Sequence, residues 1–220
     1  MRILLFNPNR SVHITERMAA SARAELRAPH QLQAVTGSAG PRVVHDAATL
    51  LQADAEALRA VPALMQDADA LLLAISLDGV IDALRPRLAP KAALGLTEAA
   101  VAAAAALGGS VGLLTLGQGL LPLYQARLAA LLPAERIAGL QAPELPQAFA
   151  PDADPAALLP VLLAACQRLR QQGADSIVLA GAVLCGYDDA LQAALGLPVL
   201  DGVRCAVRQL QCPLHDQGTP

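Results

Sequence analysis

The sequence predicts an α/β protein made of two similar halves, each a parallel sheet covered by helices, with a cleft between them. Three observations point that way. Apolar runs of about four to seven residues alternate with longer Ala- and Leu-rich amphipathic segments, the pattern of strands buried on both faces by crossover helices. Of the 220 residues, 55% are hydrophobic and the mean hydropathy is +0.43, enough to bury a large core as one domain or two small ones. The third observation is an internal repeat. "ADALLLAIS" from Ala68 aligns without a gap on "ADSIVLAGA" from Ala174, and the same offset of 106 residues carries "AALGLTEAAV" from Ala92 onto "PVLDGVRCAV" from Pro198. An offset of 108 lays "ILLFNPNR" from Ile3 on "VGLLTLGQ" from Val111. Any two buried strands share Ala, Leu and Val, but three strand ends matching in order indicate a duplicated half.

Taken in order, an apolar strand at 2–6 empties into an Asn-Pro-Asn turn, and Ser11 is placed to cap a helix that runs to about Leu26. A strand at 31–36, a helix at 47–66 and strands at 70–75 and 92–96 complete the first half. The Ala-rich "TEAAVAAAAALGG" forms a helix from about Thr97 that Gly108 and Gly109 stop. The second half follows with strands at 110–115, 137–141, 176–181 and 198–200 and helices at 120–131 and 155–172. Open α/β sheets bind ligands beyond the C-terminal ends of their strands, so two stacked halves bring those loops round a shared cleft.

Composition narrows the function classes. The net charge is −3, the isoelectric point is near 5.8, and Lys and Arg are scattered, so nothing here condenses on a phosphate backbone. The aromatic residues are Phe6, Phe149, Tyr124 and Tyr187 alone, too few for a base-stacking platform, and nucleic acid is not an expected partner. In the opening "MRILLFNPNRS" the apolar run of four is too short for the apolar region of a signal sequence, and no unbroken apolar stretch reaches the ~20 residues of a membrane span. Cys166, Cys185, Cys205 and Cys212 fall in the last third without a CxxC, and the four histidines show no metal spacing. That pattern suits neither a disulfide framework nor a metal site, and a reduced, cytoplasmic protein is expected.

"LLFNPNRS" at the first strand-to-helix turn, "GLTEAA" in mid-chain, "VGLLTLGQ" opening the second half and "LPVLDGV" near the end resemble the aspartate/glutamate racemase superfamily. Within it they look most like the hydantoin racemase branch. The resemblance covers nearly the whole chain. It implies two pseudo-symmetric Rossmann-like αβα halves with mainly parallel four-stranded sheets and the active site between them. On that division, residues 1–96 plus 203–220 form the first half and 97–202 the second. It further implies no cofactor, racemisation of an amino acid or its derivative (a small carboxylate or a cyclic amide), and room for a homo-oligomer. In the family, two cysteines act on opposite faces of a carbon acid. A thiol suits that role because its pKa of about 8.5 is lowered by local dipoles, so that one cysteine serves as thiolate and the other as thiol. Backbone N–H groups at helix starts would hold the carboxylate or enolate.

The sequence departs from this pattern at both thiols. Where the family reads Ala-Cys-Phe-x-Asp-Pro-Gly, this chain has "AISLDGV", which puts Ile75 in the cysteine position and keeps the acid as Asp78. Where the family reads Gly-Cys-Ala-Gly, "LAGAVLCG" puts Gly181 there, followed by Ala182. The internal repeat also sets Ile75 opposite Gly181.

Cys185, four residues on, is the remaining catalytic candidate. A helix beginning near Val183 would place it in the first turn, where the dipole lowers a thiol pKa; otherwise it is a small packing residue. Asn7 and Asn9 either contact the ligand's polar end, as the family turn does, or brace the turn. For Asn9 the family position favours contact. Arg10 is a carboxylate clamp or a solvated charge. Thr115 and Thr97 are donors to a substrate oxygen, with an N-cap role also open to Thr97. Asp78 caps the helix that follows it or acts as a base. Ser76 adjoins the vacant position without a nearby histidine to activate it. Tyr187 is close enough to Gly181 to line the cleft, and His13 is the histidine nearest the Asn-Pro-Asn turn. Besides the racemase reading, two others stand: a one-thiol decarboxylase or cis-trans isomerase of small diacids using Cys185, and a non-catalytic homologue that binds a small anion.

Overall fold

In the computed structural model, residues 1–212 are described; residues 213–220, assigned above to the first half, and the Ser76 side chain lie outside that description. The first sheet consists of β1 (Arg2–Asn7), β2 (Gln31–Thr36), β3 (Ala70–Leu73) and β4 (Ala92–Gly95), in the order β2-β1-β3-β4. The second consists of β5 (Val111–Leu114), β6 (Ile137–Gln141), β7 (Ser176–Leu179) and β8 (Val199–Asp201), in the order β6-β5-β7-β8. All pairings are parallel, and the central pairs are in equivalent register, with Leu5 opposite Leu72 and Leu113 opposite Val178. The sequence repeat is therefore a repeat of topology. The central strands are buried on both faces because helices cover both sides of a parallel sheet.

The helices are α1 (Val12–Glu25), α2 (Ala47–Leu64), α3 (Ile81–Leu88), α4 (Leu96–Leu107), α5 (Leu121–Leu131), α6 (Pro155–Gln171), α7 (Asp188–Leu195) and α8 (Gly202–Gln211). None of the described helices is long and apolar enough to cross a membrane. Two of them tie the halves together. α4 follows the first sheet in the chain yet packs on β7 and β8, whereas α8 follows the second sheet and packs on α1, β3 and β4. The two also pack on each other.

The expected boundaries differ where the cleft begins. β3 and β7 end at Leu73 and Leu179, two residues early, so Ile75 and Gly181 stand in loops rather than at the strand tips. The helix expected near Val183 begins at Asp188 instead. Residues Ala182–Leu184 form a single 3-10 turn, and Cys185 is extended at φ −59°, ψ 133°. Gly181 and Gly186 have positive φ on either side and keep this segment out of α-helical continuation.

Each central helix starts on a buried carboxylate. Asp201 caps α8 directly, accepting from the N–H groups of Val203 at 2.8 Å and Arg204 at 3.3 Å. In the first half the equivalent position is Gly95, and the carboxylate arrives from the loop after β3. Asp78 Oδ1 accepts from Thr97 N at 2.6 Å, and its Oδ2 accepts from Glu98 N at 3.0 Å. Asp78 therefore caps α4 rather than the helix that follows it, and Thr97 contributes a backbone donor rather than a capping hydroxyl. Gly95 is required because a Cβ there would fall inside the Asp78 carboxylate.

Arg127 on α5 of the second half donates from Nε to Asp78 Oδ2 at 2.9 Å and from Nη2 to Glu98 Oε2 at 3.2 Å, so the pair bridges the halves. Burial pushes Asp78 up to about 6 while Arg127 pulls it down, which leaves it ionised at neutral pH. Between 3.8 and about 6 the folded chain holds a proton that the unfolded chain releases, so this group's contribution to stability declines as pH rises through that window. Replacing Arg127 with Ala strands a buried carboxylate and should cost about 3–5 kcal/mol at pH 7.5. At pH 5 Asp78 takes up a proton and the loss should shrink markedly. Urea unfolding midpoints of the parent and Arg127→Ala at the two pH values measure both effects.

Candidate functional site

The loops after β1 and β5 are held by different means. Asn7 is fully buried, and its Nδ2 donates to Asn9 Oδ1 and to Thr15 Oγ1, both at 2.9 Å. Its own Oδ1 accepts from Asn9 N at 3.2 Å, and Ser11 N donates to Asn9 Oδ1 at 2.9 Å. These bonds lock the Asn-Pro-Asn turn and engage the Asn9 oxygen twice, which leaves its NH2 as the end for other partners. The turn is strapped to the loop after β2: Arg10 N donates to Pro41 O at 2.8 Å, and Ser11 Oγ donates to Arg42 O at 2.6 Å. Ser11 occupies the N-cap position, but its hydroxyl goes to that loop rather than to α1. In the second half, Thr115 N continues the ladder to Gln141 O at 2.9 Å, and the Thr115 side chain is buried.

Asn9, Ile75, Thr115 and Gly181 line one cleft between the halves, together with Ala74, Ala182 and Val183. Ile14, Val43 and Val44 from the first half and Leu116, Leu120 and Phe149 from the second complete its walls. The space is about 30 Å³, room for no more than a water or two. Among the described residues Asn9 and Thr115 supply the polar side chains, and no Lys, Arg, Asp, Glu, His or Cys lines the cleft. Gly181 has φ +150° and ψ 132°, a backbone that L side chains rarely adopt. A Cβ there would nevertheless meet nothing closer than Leu184 and Thr115 Oγ1, each at 4.0 Å. Space is available at this position, and the constraint is conformational.

Other residues singled out in the sequence lie elsewhere. The Arg10 side chain is exposed and does not line the cleft; Thr97 is buried at the start of α4. Ser76 opens the 3-10 turn Ser76–Asp78, where Leu77 and Asp78 both have φ +62°. Tyr124 is fully buried, its hydroxyl donating to Ala180 O at 3.2 Å. His13 Nε2 lies 3.1 Å from Phe149 O, so this histidine meets the cleft wall from behind.

Cys185 and Tyr187 line a separate cavity, outside the cleft. Burial pushes the Cys185 thiol well above its ordinary value, and the Asp201 and Asp188 carboxylates push it the same way. Of the two readings open to Cys185, dipole activation loses its basis, because Cys185 precedes α7 by three residues. Among the described residues no group of His, Cys, Asp and Glu is arranged to hold a metal ion.

The sequence reading missed the roof. Val43-Val44 is an apolar pair in a polar loop, and Phe149 is one of only two phenylalanines in the chain, at the end of the short 3-10 turn Pro146–Phe149. Both signals are visible in the sequence, but neither specifies where its loop docks.

A model of the Asp/Glu/hydantoin racemase family matches residues 3–210. The chain belongs to this family. Among relatives of the family, it is 28% identical over 214 residues to a hydantoin racemase from Paenarthrobacter aurescens, covering 94% of this chain and 89% of that protein. The allantoin racemase from Klebsiella pneumoniae superposes with a TM-score of 0.88 at 27% identity, over 96% of this chain and 86% of the other. A maleate isomerase from Pseudomonas putida shares the fold at a TM-score of 0.71 and 18% identity, over 96% and 91% of the two chains. The racemase-family fold thus extends across nearly all of the described chain.

The raised Cys185 thiol predicts its reactivity. At pH 7 iodoacetamide should label the exposed Cys212 first, with Cys166, Cys185 and Cys205 protected until the chain unfolds. Mass spectrometry of tryptic peptides over time reads the order directly.

Proposed function

We propose that the cleft between the halves holds a small hydantoin-like cyclic amide or carboxylate, and that this family member does not racemise it by a pair of thiols. The observation that carries the reading is the meeting of Asn9, Thr115, Ile75 and Gly181 in one cleft whose described lining residues include no ionisable side chain. Similarity to a hydantoin racemase and an allantoin racemase supports a cyclic amide as the ligand. The lining supports the same choice over a free carboxylate, since it offers the Asn9 amide and the Thr115 hydroxyl but no cation. A ring is larger than the space of about 30 Å³, so entry requires the segments bearing Val43-Val44 and Leu116–Leu120 to part.

Racemisation through a planar enolate needs a base on one face and an acid on the other. In this reading Ile75 and Gly181 stand at those two faces, and neither carries a transferable proton. The Asn9 amide and Thr115 hydroxyl remain able to hydrogen-bond the ring without taking its proton. The one-thiol alternative finds less support, because Cys185 lies outside the cleft with its thiol held protonated.

Two measurements separate binding from turnover. A hydantoin should raise the thermal midpoint of the parent protein, while deuterium from D2O should not enter at C5 above the uncatalysed rate. Ile75→Cys with Gly181→Cys should then start exchange, whereas either single change should give little, because the two faces act as a unit. The Gly181 change adds a side chain at φ +150° and should cost about 1–3 kcal/mol in unfolding free energy. Exchange in the parent would overturn the reading. So would a folded, hydantoin-binding double variant that exchanges nothing.

A further inference from the structure

The segment that lines the cleft with Gly181, Ala182 and Val183 lines a second cavity with Cys185, Gly186 and Tyr187. This cavity measures about 270 Å³ and opens to the surface beside the exposed Ala156 and Ala190. Its other walls are Leu159 and Pro155 of α6 and Arg17 of α1, so it too spans the two halves. Among the described residues, Arg17 is the only charged one in its lining.

Arg17 is positioned without being neutralised. Its Nη1 donates to Val183 O at 2.8 Å, and its guanidinium carbon stands 5.8 Å from the centroid of the Tyr187 ring. Among the described residues it makes no ion pair with a carboxylate, whereas Arg59, Arg85, Arg127, Arg204 and Arg208 all do. With Nη1 occupied, the Nε–Nη2 edge remains, the pair of parallel donors that matches the two oxygens of a carboxylate. One cation beside aliphatic and aromatic walls complements a single negative charge on an apolar body. A second carboxylate would have no partner in the lining. The volume lies just below the usual range of small-molecule pockets, ~300–1,000 Å³, and suits a single ring or a short chain.

We propose that this cavity is a second small-molecule site, distinct from the cleft, which takes a monocarboxylate with an apolar body. The carboxylate sits on Arg17, and the body lies between Leu159 and the Tyr187 ring.

Benzoate and benzamide are the probes, equal in shape and different in charge, each titrated into the full 15N-labelled chain. Benzoate should shift the amides of Ala156, Leu159, Gly186 and Ala190 ahead of those of Val43 and Thr115, and should bind at least about tenfold more tightly than benzamide. Arg17→Gln should lose about tenfold or more in benzoate affinity. Because Arg17 also holds the Val183 carbonyl, a second variant leaves it in place. Ala190→Phe enlarges an exposed side chain at the mouth and should remove the benzoate shifts while the unfolding midpoint stays unchanged. The inference is overturned by equal binding of the two probes, by undiminished binding in either variant, or by no shifts at about 10 mM benzoate. Shifts confined to Val43, Thr115 and their neighbours would also overturn it, while leaving the cleft as a ligand site.

Discussion

A buried carboxylate at the head of each central helix sets the geometry on which the rest depends. Asp201 accepts from the first turn of α8, from Gly186 N at 3.0 Å and from Ser21 Oγ at 2.6 Å, so one side chain joins α8, the loop after β7 and α1 of the other half. Asp78 does the corresponding work for α4, the loop after β3 and Arg127. In each half the acid pins the loop that carries the position facing the cleft, Gly181 in one case and Ile75 in the other. Removing a hydrogen-bonded acid from such a place strands several donors at once, which is why these contacts outweigh any surface ion pair in the molecule.

The two acids reach the same place from different positions in the repeat. Asp201 stands at a strand end, and its counterpart Gly95 leaves room for a carboxylate supplied seventeen residues earlier in the chain. Delivering Asp78 there places Leu77 and Asp78 at φ +62°, a conformation that non-glycine residues seldom hold without compensation. The compensation is visible in the two backbone donors and the arginine that Asp78 satisfies. The exchange of α4 and α8 between sheets makes these contacts bridges between the halves.

Much of this was legible in the sequence, and the failures share a cause. The central strands were readable because a parallel strand covered on both faces is a continuous apolar run, whereas the edge strands β2 and β6 are half-exposed and more mixed in sequence, and the repeat supplied the pairing of halves. The meeting of Asn9, Ile75, Thr115 and Gly181 was expected from the internal repeat together with the family pattern. What was not readable were contacts between segments distant in sequence. Asp78 looked like the cap of the next helix because a local pattern cannot reveal that Thr97 and Glu98 are its partners. Cys185 stayed open between a helix-start thiol and a packing residue, because the positive φ of Gly186, which postpones α7 to Asp188, leaves only a glycine in the sequence. The roof formed by Val43, Val44 and Phe149 depends on loop docking, as does the placement of Arg17 beside Tyr187.

The central claim is that a family ligand is held between the halves with no thiol at its reacting carbon. A crystal structure of the chain soaked or grown with 5-methylhydantoin tests it most directly. The account predicts the ring in the cleft, within ~3 Å of the Asn9 amide and the Thr115 hydroxyl, with Ile75 and Gly181 on opposite faces of C5 and the Cys185 sulfur in the other cavity. A ring bound elsewhere, or a cysteine sulfur against C5, would contradict it.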